Sequence, residues 1–480
     1  MKKMNLLVMS LVSAAALSFT SCSSNDDLAN GNAGQEKVDG FYMTLSVQTP
    51  KSDGTRTIVN TPTVDATAAE SDVTSGTIYL VDATGKVVFT KNIAENDWKA
   101  GKPTQGNEGS TQLKIAVENV VAGDSYKVYF LANAEDAKPW ENIFTATNKF
   151  AQPYDTNKKF AMFNQNDAQV NGNGYTVTFI KANNNEANPA KVKYDGVASP
   201  IKVERVVARI DAPNPGTSTV LAEAPADASA ALKVAMKDAK EKVAEIKLLN
   251  YAVSNLANKS YVMQKWSANN KLLIPEGISY YQPTADFGGV YDYNNGGFTT
   301  TKETGVNYVF ENSSTTAPTT MYFEYQITLN KKEMTNADFK DGDYKGTFYR
   351  YNNVIYTSFE QIFKDYEGVS TLFGGGKNAT GMKTELTEAI KNEKTLAKFR
   401  QDYNIEVFKG GKTYYKHVIK DNYINGIIQR NSIYRLNINN IFNVGAQVPN
   451  GEPTENDFYY INVTVTVNPW VLNTEDVDLQ

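Results

Sequence analysis

Arg56 is the only arginine before Arg205 in this 480-residue chain. It stands in a polar loop, Lys51-Ser52-Asp53-Gly54-Thr55-Arg56-Thr57. The bond between Arg56 and Thr57 is one that a trypsin-like, arginine-specific protease would cut, since exposed polar loops are where nicking concentrates. Cys22 is the second residue of this kind. It is the only cysteine, and it follows small residues behind a short apolar run, where lipidation would need a thiol. The other chemistry-bearing residues form no device. His417 is the only histidine, so a Ser-His-Asp or Cys-His mechanism would have to use it. It lies in the strand-like run Tyr414-Tyr415-Lys416-His417-Val418-Ile419 and reads as a strand histidine. No His and Cys cluster offers a zinc site. Gly374-Gly375-Gly376-Lys377 lacks the spacing of a phosphate loop and reads as a hinge before a helix. Asp338, Asp341 and Asp343 miss the calcium-loop spacing and read as an Asp-Gly turn between strands. Paired carboxylates for glycoside hydrolysis stay open, because their separation is set by the fold. The chain reads as a non-enzyme with no cofactor and no metal.

What gives Arg56 its interest is a pair of matched strands near opposite ends. Phe41-Tyr42-Met43-Thr44-Leu45-Ser46-Val47 puts Phe41, Met43, Leu45 and Val47 on one face. Ile461-Asn462-Val463-Thr464-Val465-Thr466-Val467 does the same with Ile461, Val463, Val465 and Val467, and Trp470 follows. Period-two alternation is the mark of a half-buried strand. A cut after Arg56 would release the first strand and leave an open slot in a sheet. The second, carried on a free C-terminal tail, has the period to fill such a slot in a neighbouring molecule. A one-residue slip would turn its apolar face outward.

Lys2 and Lys3 precede an apolar run from Leu6 to Leu17, too short at ~12 residues to span a bilayer. With Phe19-Thr20-Ser21-Cys22 behind it, this resembles a bacterial lipoprotein signal with Cys22 as the lipidated residue. Ser23-Ser24-Asn25-Asp26-Asp27 resembles a surface-export tag, and an Asn/Gly/Ala-rich tether runs to Lys37. The formal charge of −5 argues against nucleic acid or an anionic membrane surface as partner. With no cysteine after Cys22 the fold must hold without disulfides. The 28 Tyr and 22 Phe, with abundant Val, Ile and Thr, favour strands.

Strands are expected at Thr77 to Val81, Lys86 to Thr90, Gln112 to Val117, Ser125 to Leu131, Tyr175 to Ile180 and Ile201 to Ile210, with the glycine rhythm of an all-β sandwich. Asp211-Ala212-Pro213-Asn214-Pro215-Gly216 is the domain break. Beyond it, Ala224 to Lys242 reads as a helical insertion. Glu245 to Ser254 and Ser260 to Gln264 read as a hairpin. Met321 to Leu329 alternates, and Thr347 to Thr357 turns at Asn352-Asn353. Ser358 to Tyr366 and Met382 to Asp402 read as helices, with Ser358 the N-cap of the first. Lys412 to Ile419 and Ser432 to Ile441 return to strands. Gly445 to Asp457 reads as a loose linker.

Together these segments resemble the fimbrillins of Bacteroidales type V pili, most nearly the minor-fimbrium major-subunit branch. The likeness is carried by Tyr42-Met43-Thr44-Leu45-Ser46 with Arg56, by Val203-Glu204-Arg205-Val206-Val207-Ala208-Arg209, by Arg430-Asn431-Ser432-Ile433-Tyr434-Arg435-Leu436-Asn437-Ile438, and by Val463 to Trp470 with Glu475-Asp476-Val477-Asp478-Leu479. The resemblance implies an all-β chain of two transthyretin-like β-sandwich domains, with a few helical insertions and a C-terminal donor strand. It implies a lipoprotein signal peptide over 1–21, a propeptide with tether and removable strand over 22–56, sandwiches over 57–210 and 211–444, and linker plus donor strand over 445–480. It implies export to the outer face of the outer membrane, held there by lipid before maturation. A surface protease then cuts, and identical or related subunits join by strand exchange into a fimbrium, as shaft more than anchor. The alternatives are a monomeric surface lipoprotein that binds glycan or a host ligand through Trp98, Trp140 or Trp266, and a fimbrial tip adhesin.

Overall fold

The structure, a computed structural model, describes residues 41–48, 64–66, 70, 72–100, 110–133, 143–145, 160–164, 174–180, 184–211, 213, 219–267, 271–281, 299–300, 306–340, 342, 344–419, 427–449 and 461–472. For 48, 64–66, 100, 110–112, 143–145, 266, 281, 299–300, 306–307 and 461–472 it describes the backbone alone. The fold is all-β with a few helices. An 11-stranded sheet holds the first half, and a five-stranded and a four-stranded sheet dominate the second.

In the first half, Gly76–Val81 pairs antiparallel with both Val87–Ile93 and Ser125–Ala132. Their inward residues, among them Ile78, Leu80, Val128 and Phe130, are buried in one cluster that also takes the whole inner face of Phe41–Gln48. Trp98 stacks on Phe130 with centroids 5.5 Å apart and is buried, so this tryptophan serves the core.

In the second half, Val243–Ser254 pairs antiparallel with Thr320–Leu329, which pairs on its other edge with Lys412–Val418. His417 sits there opposite Met321, a strand position. The hairpin expected between Glu245 to Ser254 and Ser260 to Gln264 does not form. Asn255 turns through the left-handed region (φ 55°), and Lys259–Tyr261 pairs instead with Ile143–Thr145 of the first half. Asn352 and Asn353, at φ 48° and 64°, make the expected tight turn between Phe348–Tyr351 and Val354–Tyr356. Ser358 caps Phe359–Asp365 by accepting the Gln361 N–H. The helix expected over Met382 to Asp402 is two, Ala379–Ala389 and Glu393–Tyr403. Asn392 breaks it by capping the second through the Lys394 N–H.

The break between halves also moves. Ile201–Arg205 belongs to the first sheet, whereas Ala208–Asp211 pairs with Val306–Val309 and with Ser432–Ile441 of the second half. The chain crosses at the buried Val206-Val207, ahead of the expected Asp211. The start of the expected linker is likewise built in. Ala446 and Tyr414 exchange backbone hydrogen bonds at 2.8 and 2.9 Å. Arg350 donates to the Val444 and Gly445 carbonyls at 2.6 and 3.1 Å. A Cβ on Gly445 would lie 2.3 Å from the Tyr414 carbonyl oxygen, so only glycine fits this approach. Residues 445–449, the start of the expected linker, are therefore part of this body.

Candidate functional site

Phe41–Gln48 is an inserted strand. Along one edge it runs antiparallel to Ser110–Val117, from Phe41 opposite Val117 to Gln48 opposite Ser110. Along the other it runs parallel to Ala190–Lys191, opposite Met43 and Thr44, and then to Ile201 and Lys202, opposite Val47 and Gln48. The Tyr42 N–H adds a bond to the Asn184 carbonyl at 3.0 Å. Phe41, Met43, Leu45 and Val47 are at most 3% exposed, while Tyr42, Thr44 and Ser46 are half-buried. The alternation thus resolves into an inner and an outer face.

The slot tapers. At its head the Phe41 ring lies 5.4 Å from Phe179, whose ring is 6.0 Å from Tyr126. The Tyr126 hydroxyl accepts the Val121 N–H at 2.8 Å, and burial pushes its phenol above the ordinary range. Further along, Ile115, Val192, Ile201 and Val203 close the walls. Burying four such side chains is worth roughly 1.5–3 kcal/mol each, on the order of 10 kcal/mol before ordering costs. Lifting the strand out would leave two unpaired backbone edges and an apolar trough between them.

The C-terminal strand, Ile461–Leu472, is not free in this structure. It runs antiparallel to Ser432–Ile441, from Pro469 opposite Ser432 to Ile461 opposite Ile441, with a bulge between Ile438 and Asn440. Ile461, Val463, Val465, Val467 and Trp470 all lie on this strand, and Thr464 stands opposite Asn437 along the ladder. At its far end Val64–Ala66 pairs with it in parallel, Val64 opposite Trp470. Cys22, Arg56 and Thr57 lie outside the described residues, as do Trp140, Asp341 and Asp343.

The two arginine-bearing motifs, far apart in sequence, meet at the crossing between halves. Arg205 is fully buried. It donates from Nε to the Glu70 carbonyl at 2.6 Å and from Nη1 to Asn431 Oδ1 at 3.0 Å. Burial pushes its guanidinium down to about 9, with Glu70 pulling the other way, so it stays a cation at neutral pH. The Asn431 N–H donates to the Val207 carbonyl at 2.8 Å, from a left-handed φ of 54°. Arg209 pairs with Asp211 at 2.5 Å and with Glu70 at 3.3 Å, and Arg435 reaches Asp211 at 2.7 Å. The Tyr308 hydroxyl donates to Glu70 at 2.6 Å; burial, then this bond, raise its phenol. Close by, Arg430 is buried against Glu311 at 2.8 Å. Sequence reasoning placed these motifs but missed their meeting. A usable signal was there, since only seven arginines occur in the chain and four fall in these two motifs.

Every arginine among the described residues is taken up by the fold. Arg205, Arg350, Arg400 and Arg430 are buried, and Arg209 and Arg435 lie in paired strands with carboxylate partners. Asp338 is also engaged, accepting from Tyr349 and from the Phe359 N–H. Among the described residues no three His, Cys, Asp or Glu side chains gather where they could hold a metal.

Two family models match the chain. One, described as major fimbrial subunit protein (FimA), covers residues 42–205. The other, described as major fimbrial subunit protein type IV, fimbrillin, C-terminal, covers residues 406–476. Among solved structures the chain is similar to the fimbrilin FimA of Porphyromonas gingivalis W83, at 14% identity over 91% of this chain and 99% of that one, with a TM-score of 0.41. It is similar to the tip fimbrial protein Mfa3 of Porphyromonas gingivalis, with C-terminal truncation, at 11% identity over 90% and 99%, TM-score 0.35. A fimbrial assembly protein of Parabacteroides distasonis ATCC 8503 matches at 13% identity over 61% and 99%, TM-score 0.27. No curated protein matches the chain. One family model spans the inserted strand and its groove and the other spans the paired C-terminal strand, and on that ground the chain is a fimbrillin-type protein.

Proposed function

We propose that this chain is a structural subunit of a cell-surface fimbria, in the shaft, and that subunits join by strand exchange after an arginine-specific protease cuts between Arg56 and Thr57. Export as a lipoprotein through Cys22 precedes the cut. The observation that carries this reading is the contrast among the arginines. Those that the structure describes are buried or held in ladders and ion pairs, whereas Arg56 follows, within a polar loop, a strand whose loss would open a trough lined by core residues. A protease that needs an extended, accessible arginine is thereby directed to one bond. The C-terminal strand supplies the matching period, and regained backbone pairing on both edges makes the joint slow to reopen.

The test is Arg56→Ala against wild type, each treated with an arginine-specific protease. Wild type is expected to yield a chain starting at Thr57 and SDS-resistant ladders; the variant is expected to remain an intact monomer. Full-length fibres from Arg56→Ala would overturn the reading.

A further inference from the structure

We infer that the C-terminal strand enters a neighbour's groove with Tyr459, not Ile461, in the place of Phe41. The inference rests on the strand-exchange reading above and fixes its register.

The groove accepts eight residues, Phe41 to Gln48, opposite Val117 to Ser110. Its inner positions read Phe, Met, Leu, Val, largest first, and the Phe41 position is built from rings, Phe179 at 5.4 Å with Tyr126 beyond. Only even shifts keep the apolar face inward. Setting Ile461 on Phe41 puts Ile, Val, Val, Val into the four positions, with an aliphatic group where a ring packs and a void beside it. Setting Tyr459 there lays Tyr459-Tyr460-Ile461-Asn462-Val463-Thr464-Val465-Thr466 over Phe41-Tyr42-Met43-Thr44-Leu45-Ser46-Val47-Gln48. Aromatic meets aromatic at the head, Tyr460 takes the outer place of Tyr42, and the inner side chains shrink in the same direction. That shared taper also sets the polarity of insertion.

The neighbouring even registers fail for separate reasons. Two residues earlier again, Asp457 would occupy the Phe41 position, a carboxylate among buried rings. Two residues later than the Ile461 alignment, Pro469 would take the place of Val47. That position is flanked by Thr111 on one edge and Ile201 on the other, and proline brings no N–H to either ladder.

Cross-linking reads the register. Ala116 lies opposite Tyr42 and Lys114 opposite Thr44, and both are exposed. With Tyr459 leading, Asn462 falls opposite Lys114; with Ile461 leading, it falls opposite Ala116. Donor subunits carrying Asn462→Cys are mixed with acceptors carrying Lys114→Cys or Ala116→Cys, and ladders are formed under oxidising conditions. The sole natural cysteine, Cys22, lies upstream of Arg56 and leaves with the cut piece. An intermolecular disulfide at Lys114→Cys in at least tenfold excess over Ala116→Cys is expected. The reverse ratio, or ladders that link at neither position, overturns the register while leaving strand exchange standing. A wild-type protein that never forms ladders after cleavage overturns both. Tyr459→Ala should cut ladder yield about tenfold and Tyr459→Phe should keep it; equal yields would also overturn the register.

Discussion

The strands Phe41–Gln48 and Ile461–Leu472 share a period but not a setting. The first is flanked on both edges and its inner face lies in the main hydrophobic cluster. The second has one long antiparallel partner and, on its other edge, only the three residues Val64–Ala66 among the described residues. The difference separates two settings that sequence alternation alone makes look alike. A strand held on both edges completes a fold. A strand held chiefly on one can leave at lower cost, by breaking a single long ladder.

The sharpest way to break this comparison is to place the same charge in each strand of the uncut chain. Leu45→Asp puts a carboxylate at a position of 0% exposure, which should cost more than about 4 kcal/mol and prevent the first half from folding. Val465→Asp should give a folded monomer with unchanged melting of the first half, and should stop ladder formation. If circular dichroism finds both variants equally unfolded, the C-terminal strand is as integral as the first and the distinction fails.

A smaller effect is expected at the crossing. Asn431→Ala takes away the acceptor of one Arg205 N–H inside the fold and places alanine at φ 54°. The loss should be about 2–3 kcal/mol, read as a lower urea midpoint with an unchanged slope. Because the bond that is lost joins Arg205 of the first half to Asn431 of the second, both halves should weaken together. A shift confined to one half would mean that the two cores are held independently.

The smallest expected effect uses Asp338 as a reporter of the second half alone. Burial raises its carboxyl above the ordinary 3.8, ahead of the opposing pull of Lys383. The native state therefore holds the proton more tightly than the unfolded chain does. The associated stability is fully present below the ordinary value, is lost as pH rises through the raised one, and stays flat above it. Asp338→Asn should remove that slope from melts between acidic and neutral pH. A slope that appears equally in the first half's transition would make the two halves one cooperative unit.

Local pattern carried much of this fold. Alternation placed Phe41, Met43, Leu45 and Val47 on the buried face, and Asn352-Asn353 and Ser358 announced a turn and a cap that depend only on nearby backbone. What escaped was pairing between distant segments. Nothing near Tyr261 says that its strand will pair with Ile143 rather than with Val243–Ser254. Nothing near Gly445 says that Tyr414 will press against it, and a stretch rich in glycine and proline reads as loose until its partner is known. At the site, the strand and its faces were legible, while the two ladders that make it an insert were not. The Glu70, Arg205 and Asn431 contacts join residues up to 238 positions apart, beyond the reach of any periodicity.

The pairing of Val64 with Trp470 has a practical side. A chain beginning at Thr57 reaches Val64 in seven residues, a span of at most ~25 Å. Val64 and Trp470 are neighbours across one ladder, so a bulky group set at either would crowd the same strip of sheet. A fluorophore or epitope meant to leave assembly intact belongs elsewhere, at an exposed position such as Val197, 70% exposed beside the turn at Asp195-Gly196.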